Sequence, residues 1–436
     1  MVSLSPSATP SFPELLRTFT RIGFLSFGGP AGQIALMQHE LVDRRGWVDQ
    51  GAFLRALNLC HLLPGPEAQQ LATWIGWRLH GTRGGLAAGL LFVIPGAIVM
   101  FGLSLLYAMA AGLDWFAALF LGVKAAVLAI VAQALIRIGR RALGTSFKLL
   151  LAAIAFLALT IVEAPFPVVV LAAALIGAGV GSVQPDWLGA HAVAAAAGEQ
   201  PSKRRLAAST LLTVLAWLVV WLLPMALIAV TLGREHVLWD IGAFFAQLAV
   251  VTFGGAYAVL SYMAQAAVEN HGWLSAGEMA DGLGLAETTP GPLIMVTQFV
   301  GFIAAWRDPA PFSPLLAGLL GAGLTTWVTF APCFLWIFAC APWMERLERA
   351  EALQSALAAI TAAVVGVVAH LAVWFAVHVL FLRPEAGWFG FPDATSFDWR
   401  AGVIAAAAGL MLFGLKRGVM EVIAAAALAG LLLGSV

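Results

Sequence analysis

Two Pro-Gly-Pro triplets, each inside a long apolar stretch, are the part of this chain best suited to chemistry. They are Pro64-Gly65-Pro66 and Pro290-Gly291-Pro292. The first proline of a triplet removes a donor and clashes with the preceding turn, glycine frees the backbone, and the second proline suits a helix start. Each triplet therefore predicts two half-helices that meet inside an apolar segment. The second half-helix has free N–H groups at a positive dipole end, which favours an anion.

The side chains and amides next to both triplets complete the candidate site. Free amides are expected near residues 67–70 and 293–296, so that two helix N-termini converge on one anion. Gln69, Gln70 and Thr289 join both triplets as candidate substrate-binding residues. The alternative is a pair of structural kinks, but the occurrence of two copies favours a functional break.

A second pair of candidate breaks lies inside the first apolar segment of each half of the chain. It consists of Gly28-Gly29 and Gly254-Gly255. Pro30 could begin a half-helix in the first half, whereas Ala256 stands at the matching position in the second. The alternative is close helix packing through small residues. Both interpretations stay open, and all four glycines are candidate substrate-binding residues.

Lys124 lies near the middle of an otherwise apolar segment, where an ionisable side chain is costly and functional by default. Each helix N-terminus supplies only about half an elementary charge, so a bound dianion would keep roughly one charge uncompensated. Lys124 is therefore predicted to be the charge partner of the anion, with snorkelling or a structural ion pair as the alternative. His61, Glu287 and His370 are the candidates for proton coupling, with ordinary packing as the alternative for the histidines.

The amino-acid composition indicates a membrane protein. The chain has 436 residues, of which 61% are hydrophobic and 11% charged, against about 25% charged in a soluble domain. Apolar stretches of roughly 20 residues recur, enough for about thirteen membrane segments. Lys plus Arg equals Asp plus Glu at 23 each, so no net field attracts nucleic acid. We predict an all-α polytopic membrane protein rather than a soluble enzyme, a disordered chain or a barrel.

The segments form two homologous halves. Phe27-Gly28-Gly29, Gly46-Trp47 and the first triplet recur at one constant spacing as Phe253-Gly254-Gly255, Gly272-Trp273 and the second triplet. Beyond these motifs, Pro95 matches Pro332 across a longer loop. Residues 1–183 are predicted to form the first transporter repeat. Residues 184–240 are predicted to be a linker with a connecting span, and residues 241–436 the second repeat.

Positive charge predicts that the two repeats are inverted. A basic loop, 137–148, follows the span 113–136, whereas Arg346 and Arg349 precede the matching span 353–380. Since short cytoplasmic loops are rich in Lys and Arg, the two spans run in opposite directions. The N-terminus is expected in the cytoplasm. Inverted repeats are typical of secondary transporters, whose site lies near the middle of the membrane between the repeats.

Other chemistry finds little support. Cys60, Cys333 and Cys340 have no disulfide or metal spacing, and no phosphate-binding loop or hydrolase motif is present. Neither a metal site nor a cofactor is expected. A membrane-embedded enzyme, such as an oxyanion reductase or a lipid phosphatase, is the least favoured of the function classes.

Several motifs together resemble the chromate ion transporter family, in its long two-domain form. They are Phe27-Gly28-Gly29-Pro30, Arg44-Arg45-Gly46-Trp47, residues 62–71 and Thr289-Pro290-Gly291-Pro292. The resemblance implies a multi-pass protein of the bacterial inner (plasma) membrane that exports chromate and confers chromate resistance. It implies sulfate as a competing analogue, with no enzymatic activity and no known cofactor. A transporter or importer of sulfate or another oxyanion is the alternative, and a homodimer is the assembly considered.

Overall fold

The computed structural model describes residues 10–189, 203–253, 256–348, 350–383 and 392–434. This part of the chain is helical and contains no strand, only a single bridge between Phe381 and Phe397. Within it, six helices are long and apolar enough to cross a membrane, and five shorter helices are also apolar. The prediction of an all-α polytopic membrane protein is confirmed.

The helices form two series separated by one extra helix. The first series is α1 (Phe12–Leu25), α2 (Gly29–Met37), α3 (Gln50–Leu62), α4 (Glu67–Ala110), α5 (Asp114–Ala142), α6 (Ser146–Thr160) and α7 (Phe166–Val183). The extra helix is α8 (Lys203–Thr231). The second series is α9 (Val237–Val251), α10 (Ala256–Gln265), α11 (Ala276–Thr288), α12 (Val296–Arg307), α13 (Pro314–Cys340), α14 (Met344–Glu348), α15 (Glu351–Leu380), α16 (Trp399–Gly409) and α17 (Val419–Gly434).

Short helical turns complete the two series. Turns of π-helix continue α2 over Gln38–Asp43, α10 over Ala266–Asn270 and α16 over Leu410–Gly414. Turns of 3-10 helix cover Pro185–Trp187, Leu293–Met295, Ala341–Trp343 and Ala394–Ser396. The part of the predicted linker at residues 190–202 lies outside the described residues.

The helix α4 consists of two antiparallel arms, 67–79 and 82–110. His80 and Gly81 have non-helical backbone angles, and Gly81 has a φ of 61°. The arms pack so closely that a Cβ on Gly76 would lie 2.2 Å from the carbonyl oxygen of Gly84. The short arm thus corresponds to α12 and the long arm to α13, which keeps the two series in the same order.

The same local signals start the matching helices α3 and α11. The Asp49 side chain accepts a hydrogen bond from the Ala52 amide at 2.8 Å, and Ser275 forms a capping box with Glu278. Both caps stand one residue before their helix, at positions that the constant spacing of the repeats matches to each other. Such caps satisfy amides that a helix start would leave unpaired. Both helices then run to their Pro-Gly-Pro triplet.

The segments broken by the triplets and by the first glycine pair are re-entrant hairpins. Gly282 of α11 packs against the Phe299 ring of α12, and Glu278 pairs with Arg307 near the open ends of both helices. In the first repeat, Arg21 of α1 lies 3.9 Å from Glu40, which follows α2. Each of these two hairpins therefore returns to the face it started from, with the break at its tip.

The hairpins of the two repeats enter from opposite faces. The long arm of α4 begins beside His80, whose Nε2 lies 2.7 Å from the Pro10 carbonyl oxygen, at what we call the N-terminal face. It ends near Tyr107, whose hydroxyl donates to Asp281 of α11 at 2.7 Å, toward what we call the distal face. The start of α1 and the start of α11 thus lie at opposite ends of one membrane-crossing helix, as inverted repeats require.

The helices pack into two groups. The hairpin bundle comprises α1–α4 and α8–α13, and the scaffold bundle comprises α5–α7 and α15–α17. In the scaffold, glycines allow close approach: a Cβ on Gly122 of α5 would meet the Ala426 carbonyl of α17. The described hairpin tips, those of α1–α2, α3–α4 and α11–α12, lie in the hairpin bundle, which faces the scaffold. The exact division into domains at 183 and 241 stays a prediction.

Candidate functional site

The hairpin tips of the two repeats are tied to each other by a reciprocal pair of backbone hydrogen bonds. The Gly65 amide donates to the Thr252 carbonyl at 2.9 Å, and the Gly291 amide donates to the Ser26 carbonyl at 2.8 Å. Each donor is the glycine of a triplet, and each acceptor lies just before the glycine pair of the other repeat. The two donors occupy matching positions of the repeats, and so do the two acceptors. The structure thus brings the predicted breaks together at the repeat interface.

Glycine is required at the centre of each triplet. The φ of Gly65 is +119° and that of Gly291 is +91°, which side chains rarely adopt. A Cβ on Gly65 would also lie 2.8 Å from the Cys333 Sγ, whereas one on Gly291 would meet Gly96 at 3.4 Å. Gly96 of α4 and Cys333 of α13 directly follow the matched prolines Pro95 and Pro332. Each tip is therefore covered by the long helix of the other repeat, at the same position along that helix.

Two buried glutamines hold the tips, and a third lies beside them. Gln70 donates to the Pro64 carbonyl at 2.7 Å, and Gln33 of α2 donates to the Gly291 carbonyl at 2.6 Å. Gln69 donates to the Thr73 hydroxyl at 3.2 Å. The side-chain oxygen of each glutamine has no hydrogen-bond partner among the described residues. Sequence reasoning missed Gln33, because its matching position is Val259 and no repeated polar pattern marks it.

The glycine pair of the first repeat is the exposed tip of the α1–α2 hairpin. Gly28 and Gly29 have φ values of +83° and +71°, and a Cβ on either would meet no atom of the described residues within 4 Å. No close helix packing occurs at this pair among the described residues, and the pair leads directly into the free amides of α2. Gly254 and Gly255 lie outside the described residues.

The proton-coupling candidates occupy different surroundings. His61 Nδ1 lies 3.6 Å from the Glu67 carboxylate, where α3 meets the tip, and its side chain is 52% exposed. Glu287 is buried at the matching position before the other triplet. His370 Nδ1 lies 3.0 Å from the Thr160 hydroxyl, within the scaffold. Thr289 donates to Leu285 of its own helix, at 2.7 Å.

Lys124 is not at the tips but in an ion pair with Asp281, the alternative that the sequence left open. Its Nζ lies 3.4 Å from Asp281 Oδ2, which also accepts the Tyr107 hydroxyl hydrogen bond. The Lys124 side chain is 28% exposed and that of Asp281 only 3%. Both line a cavity of about 410 Å³ with Ser275 and Glu278. Asp281 was missed, although an acidic residue inside an apolar segment is itself a signal.

No cluster of three or more His, Cys, Asp or Glu side chains in the described ranges has a metal-binding arrangement. Cys60 and Cys333 are buried free thiols, and Cys340 is half-buried. What the described site offers is backbone amides at helix starts, amide side chains and one ion pair. This set suits the binding of a hydrated or partly dehydrated anion rather than covalent chemistry.

Replacing Gln33 by Met should lower the stability of the protein by about 1–3 kcal/mol, because the buried Gly291 carbonyl loses its donor. The midpoint of thermal denaturation in detergent measures the change. Gln38→Met is the matched control, because Gln38 makes only an exposed hydrogen bond of 3.4 Å with Gln50. Equal midpoints for the two variants would show that the Gln33 contact does not hold the tips together.

Comparison with known proteins agrees with the geometry. The model of the chromate transporter family matches residues 13–178 and again 239–431. The chromate transport protein of Pseudomonas aeruginosa is 32% identical over 366 residues, covering 82% of this chain and 79% of that protein. That of Cupriavidus metallidurans is 27% identical over 367 residues, covering 84% and 83%.

A probable chromate transport protein of Synechococcus elongatus is 28% identical over 359 residues, covering 82% of this chain and 83% of that protein. No solved structure matches the chain significantly. The family model spans both repeats, including both triplets and the hairpins that hold them. The resemblance that the motifs indicated is thereby confirmed, and the chain belongs to the chromate transporter family.

Proposed function

We propose that this protein is a secondary transporter that exports chromate from the bacterial cytoplasm and thereby confers chromate resistance. The observation that carries the proposal is the interlocked pair of Pro-Gly-Pro tips at the interface of two inverted repeats. Broken helices at such an interface are where secondary transporters bind their substrates. Membership of the chromate transporter family supports chromate as the substrate.

The proposed binding site is the group of hairpin tips. Free amides at the start of α4, near residues 67–69, and those at the exposed start of α2 would donate to the oxyanion. The buried Gln69 and Gln70 amides border the first of these helix starts. The His61 imidazole lies 3.6 Å from the Glu67 carboxylate at the same helix start. Lys124 is paired with Asp281 here, so its charge would act on substrate only after that pair separates.

The membrane potential supplies enough energy for export. One elementary charge crossing 100 mV is worth about 2.3 kcal/mol, so a dianion that leaves a negative cytoplasm gains roughly twice that. No coupling ion is then required. Sulfate is also a tetrahedral dianion, and backbone amides distinguish the two poorly. Import of sulfate against the potential would instead need proton coupling, for which His61, Glu287 and His370 are the candidates.

We place the N-terminal face in the cytoplasm of a bacterial inner membrane. Basic side chains concentrate toward this face, as the positive-inside rule requires. They include Arg17, Arg21, Arg44, Arg45, Arg78, Arg83, Arg137, Arg140, Arg141, Lys148, Lys416 and Arg417. The distal face has Arg234, Arg307, Arg383 and Arg400. An enzymatic activity is not part of the proposal.

Purified protein in sealed vesicles tests the proposal. We expect potential-dependent flux of chromate, with competition from sulfate, and recovery of the chromate as Cr(VI) inside the vesicles. Sulfate flux without chromate flux would favour the oxyanion alternative. Flux of either ion that disappears when the proton gradient is collapsed at constant potential would favour proton coupling. Chemical reduction of chromate in the absence of transport would favour an enzyme.

Cysteines at positions 140 and 383 should react from opposite sides of the membrane, with position 140 cytoplasmic. Arg140 ends α5 toward the N-terminal face, whereas Arg383 follows α15 at the other end of the scaffold. A membrane-impermeant thiol reagent, applied to intact cells and to inverted vesicles, measures the side of each. Reaction of both from one side would overturn the assigned orientation of the repeats.

A further inference from the structure

The distal face is sealed by contacts between the second repeat's hairpins and the scaffold. Asp281 of α11 pairs with Lys124 of α5, and a Cβ on Gly284 would lie 2.2 Å from the Val123 side chain. On α10, the Ser261 hydroxyl donates to the Val367 carbonyl of α15 at 3.1 Å. Glycine at position 284 lets α11 touch α5 directly, about one helical turn closer to the tip than Asp281, which lines the distal cavity.

The matching surfaces of the first repeat are open. Positions 51, 55 and 58 of α3 correspond to 277, 281 and 284 of α11, and Gly51, Arg55 and Asn58 are all exposed. Ala35 of α2, the counterpart of Ser261, is exposed as well. In the described part of the chain, α2 and α3 make no contact with α5 or α15 comparable to those of α10 and α11.

The exposed surface of α3 ends near the tip, where α3 contacts the scaffold. Leu62, the last residue of α3, packs against a cluster of the scaffold that includes Val364 and Val367 of α15. The tip thus keeps its contact with the scaffold while the rest of the helix is separated from it. Arg55 makes no hydrogen bond or ion pair with any described residue, and His61 lies at the inner end of the same face.

We propose that this structure is the state of the transporter open at the N-terminal face, with Arg55, Asn58 and His61 lining the oxyanion's path to the tips. The Lys124–Asp281 pair is the closure of the distal face, and transport requires it to separate. The oxyanion as the ligand of this path rests on the proposed function, whereas the opening itself does not.

The repeat explains why this state is the resting one. The position of Lys124 in α5 corresponds to Thr361 in α15, and that of Asp281 corresponds to Arg55. When the N-terminal face closes, Arg55 is brought opposite Thr361, and no ion pair forms. Closing the N-terminal face would bury the Arg55 charge without a counter-charge, whereas the buried Asp281 carboxylate of the distal closure is paired with Lys124. The two closures therefore differ in free energy, in favour of the distal one.

Single cysteines at two matched positions test the opening without any transport measurement. Leu54 of α3 is 46% exposed, and its counterpart Ala280 of α11 is fully buried. The variants Leu54→Cys and Ala280→Cys are made in a chain whose three native cysteines are alanine. We expect a water-soluble thiol reagent to label position 54 at least tenfold faster than position 280. Equal rates at the two positions, whether fast or slow, would overturn the proposal.

The closure is tested in the same assay. Lys124→Gln should raise the labelling rate at position 280 and lower it at position 54, because weakening one state shifts the population to the other. Lys148→Gln is the control, since Lys148 carries no ion pair in the described structure. Unchanged rates in Lys124→Gln would show that the pair does not close the distal face.

The ligand of the path is tested with sulfate, which does not oxidise thiols. We expect sulfate to slow labelling at position 54, and Arg55→Gln to raise the half-protecting concentration at least fivefold. Arg17→Gln removes an exposed charge from α1 at the same face and should leave that concentration unchanged. Faster labelling at position 54 than at position 280, without protection by sulfate, would support the open state and show that this path does not bind the oxyanion. Failure of the open state and failure of the proposed ligand are therefore distinguishable.

Discussion

Valine at position 65 should abolish oxyanion flux while the protein still inserts into the membrane. Gly65 needs a φ of +119°, and a side chain there would also collide with the Cys333 Sγ at 2.8 Å. A β-branched residue cannot adopt this conformation, so the tip must rebuild and the Gly65–Thr252 hydrogen bond is lost. Chromate flux in vesicles, normalised to inserted protein, measures the effect.

Two further variants separate the causes of that loss. Gly291→Val has the same backbone strain, but a Cβ at position 291 has its nearest atom at 3.4 Å. We therefore expect Gly291→Val to be inactive but to unfold at a higher temperature than Gly65→Val. Gly102→Val is the matched control, because a Cβ there meets nothing within 4 Å and its φ is ordinary. Full flux in Gly65→Val at normal expression would show that the triplets are structural kinks with no role in transport.

Lys124→Gln should lower flux tenfold or more. Asp281 is only 3% exposed, and removing one partner of a buried ion pair costs about 3–5 kcal/mol, because the other charge is left uncompensated. Lys124→Arg should keep partial activity, since charge survives though shape does not. The measurement is sulfate or chromate flux for each variant at equal amounts of inserted protein.

The double variant Lys124→Gln/Asp281→Asn tells the two roles of Lys124 apart. If the pair closes the distal face, neutralising both partners removes the buried charge, and flux should recover to within a few-fold of the wild type. If Lys124 instead compensates the dianion directly, the double variant should be as inactive as Lys124→Gln. Wild-type flux in the single variant would exclude both roles.

The sequence predicted the breaks well because their causes are local. Proline and glycine determine which backbone conformations are accessible whatever surrounds them, so the two triplets marked the tips before any packing was known. The constant spacing of the repeated motifs then paired Gly65 with Gly291. The basic loops predicted the inversion, because the positive-inside rule depends only on the charges in each short loop and not on how the helices pack.

Contacts between distant segments could not be predicted in this way. The Gln33 bond to Gly291 joins residues of different repeats, and nothing near Gln33 in the sequence indicates its partner. Lys124 was recognised as costly, but the choice between an anion and Asp281 depends on which helix packs against α5. The open state could not be predicted either, because it depends on a small free-energy difference between two arrangements of the same contacts.

The reciprocal bonds between the tips have a consequence for how the chain is made. When the first repeat leaves the ribosome, the Gly65 amide and the Ser26 carbonyl are without the partners that the second repeat supplies. A polar group left unpaired in hydrocarbon is costly, so this half must stay incomplete, and accessible to quality control, until the second repeat has been inserted. The first repeat gains its missing hydrogen bonds only when the second repeat has been synthesised and inserted in the opposite orientation.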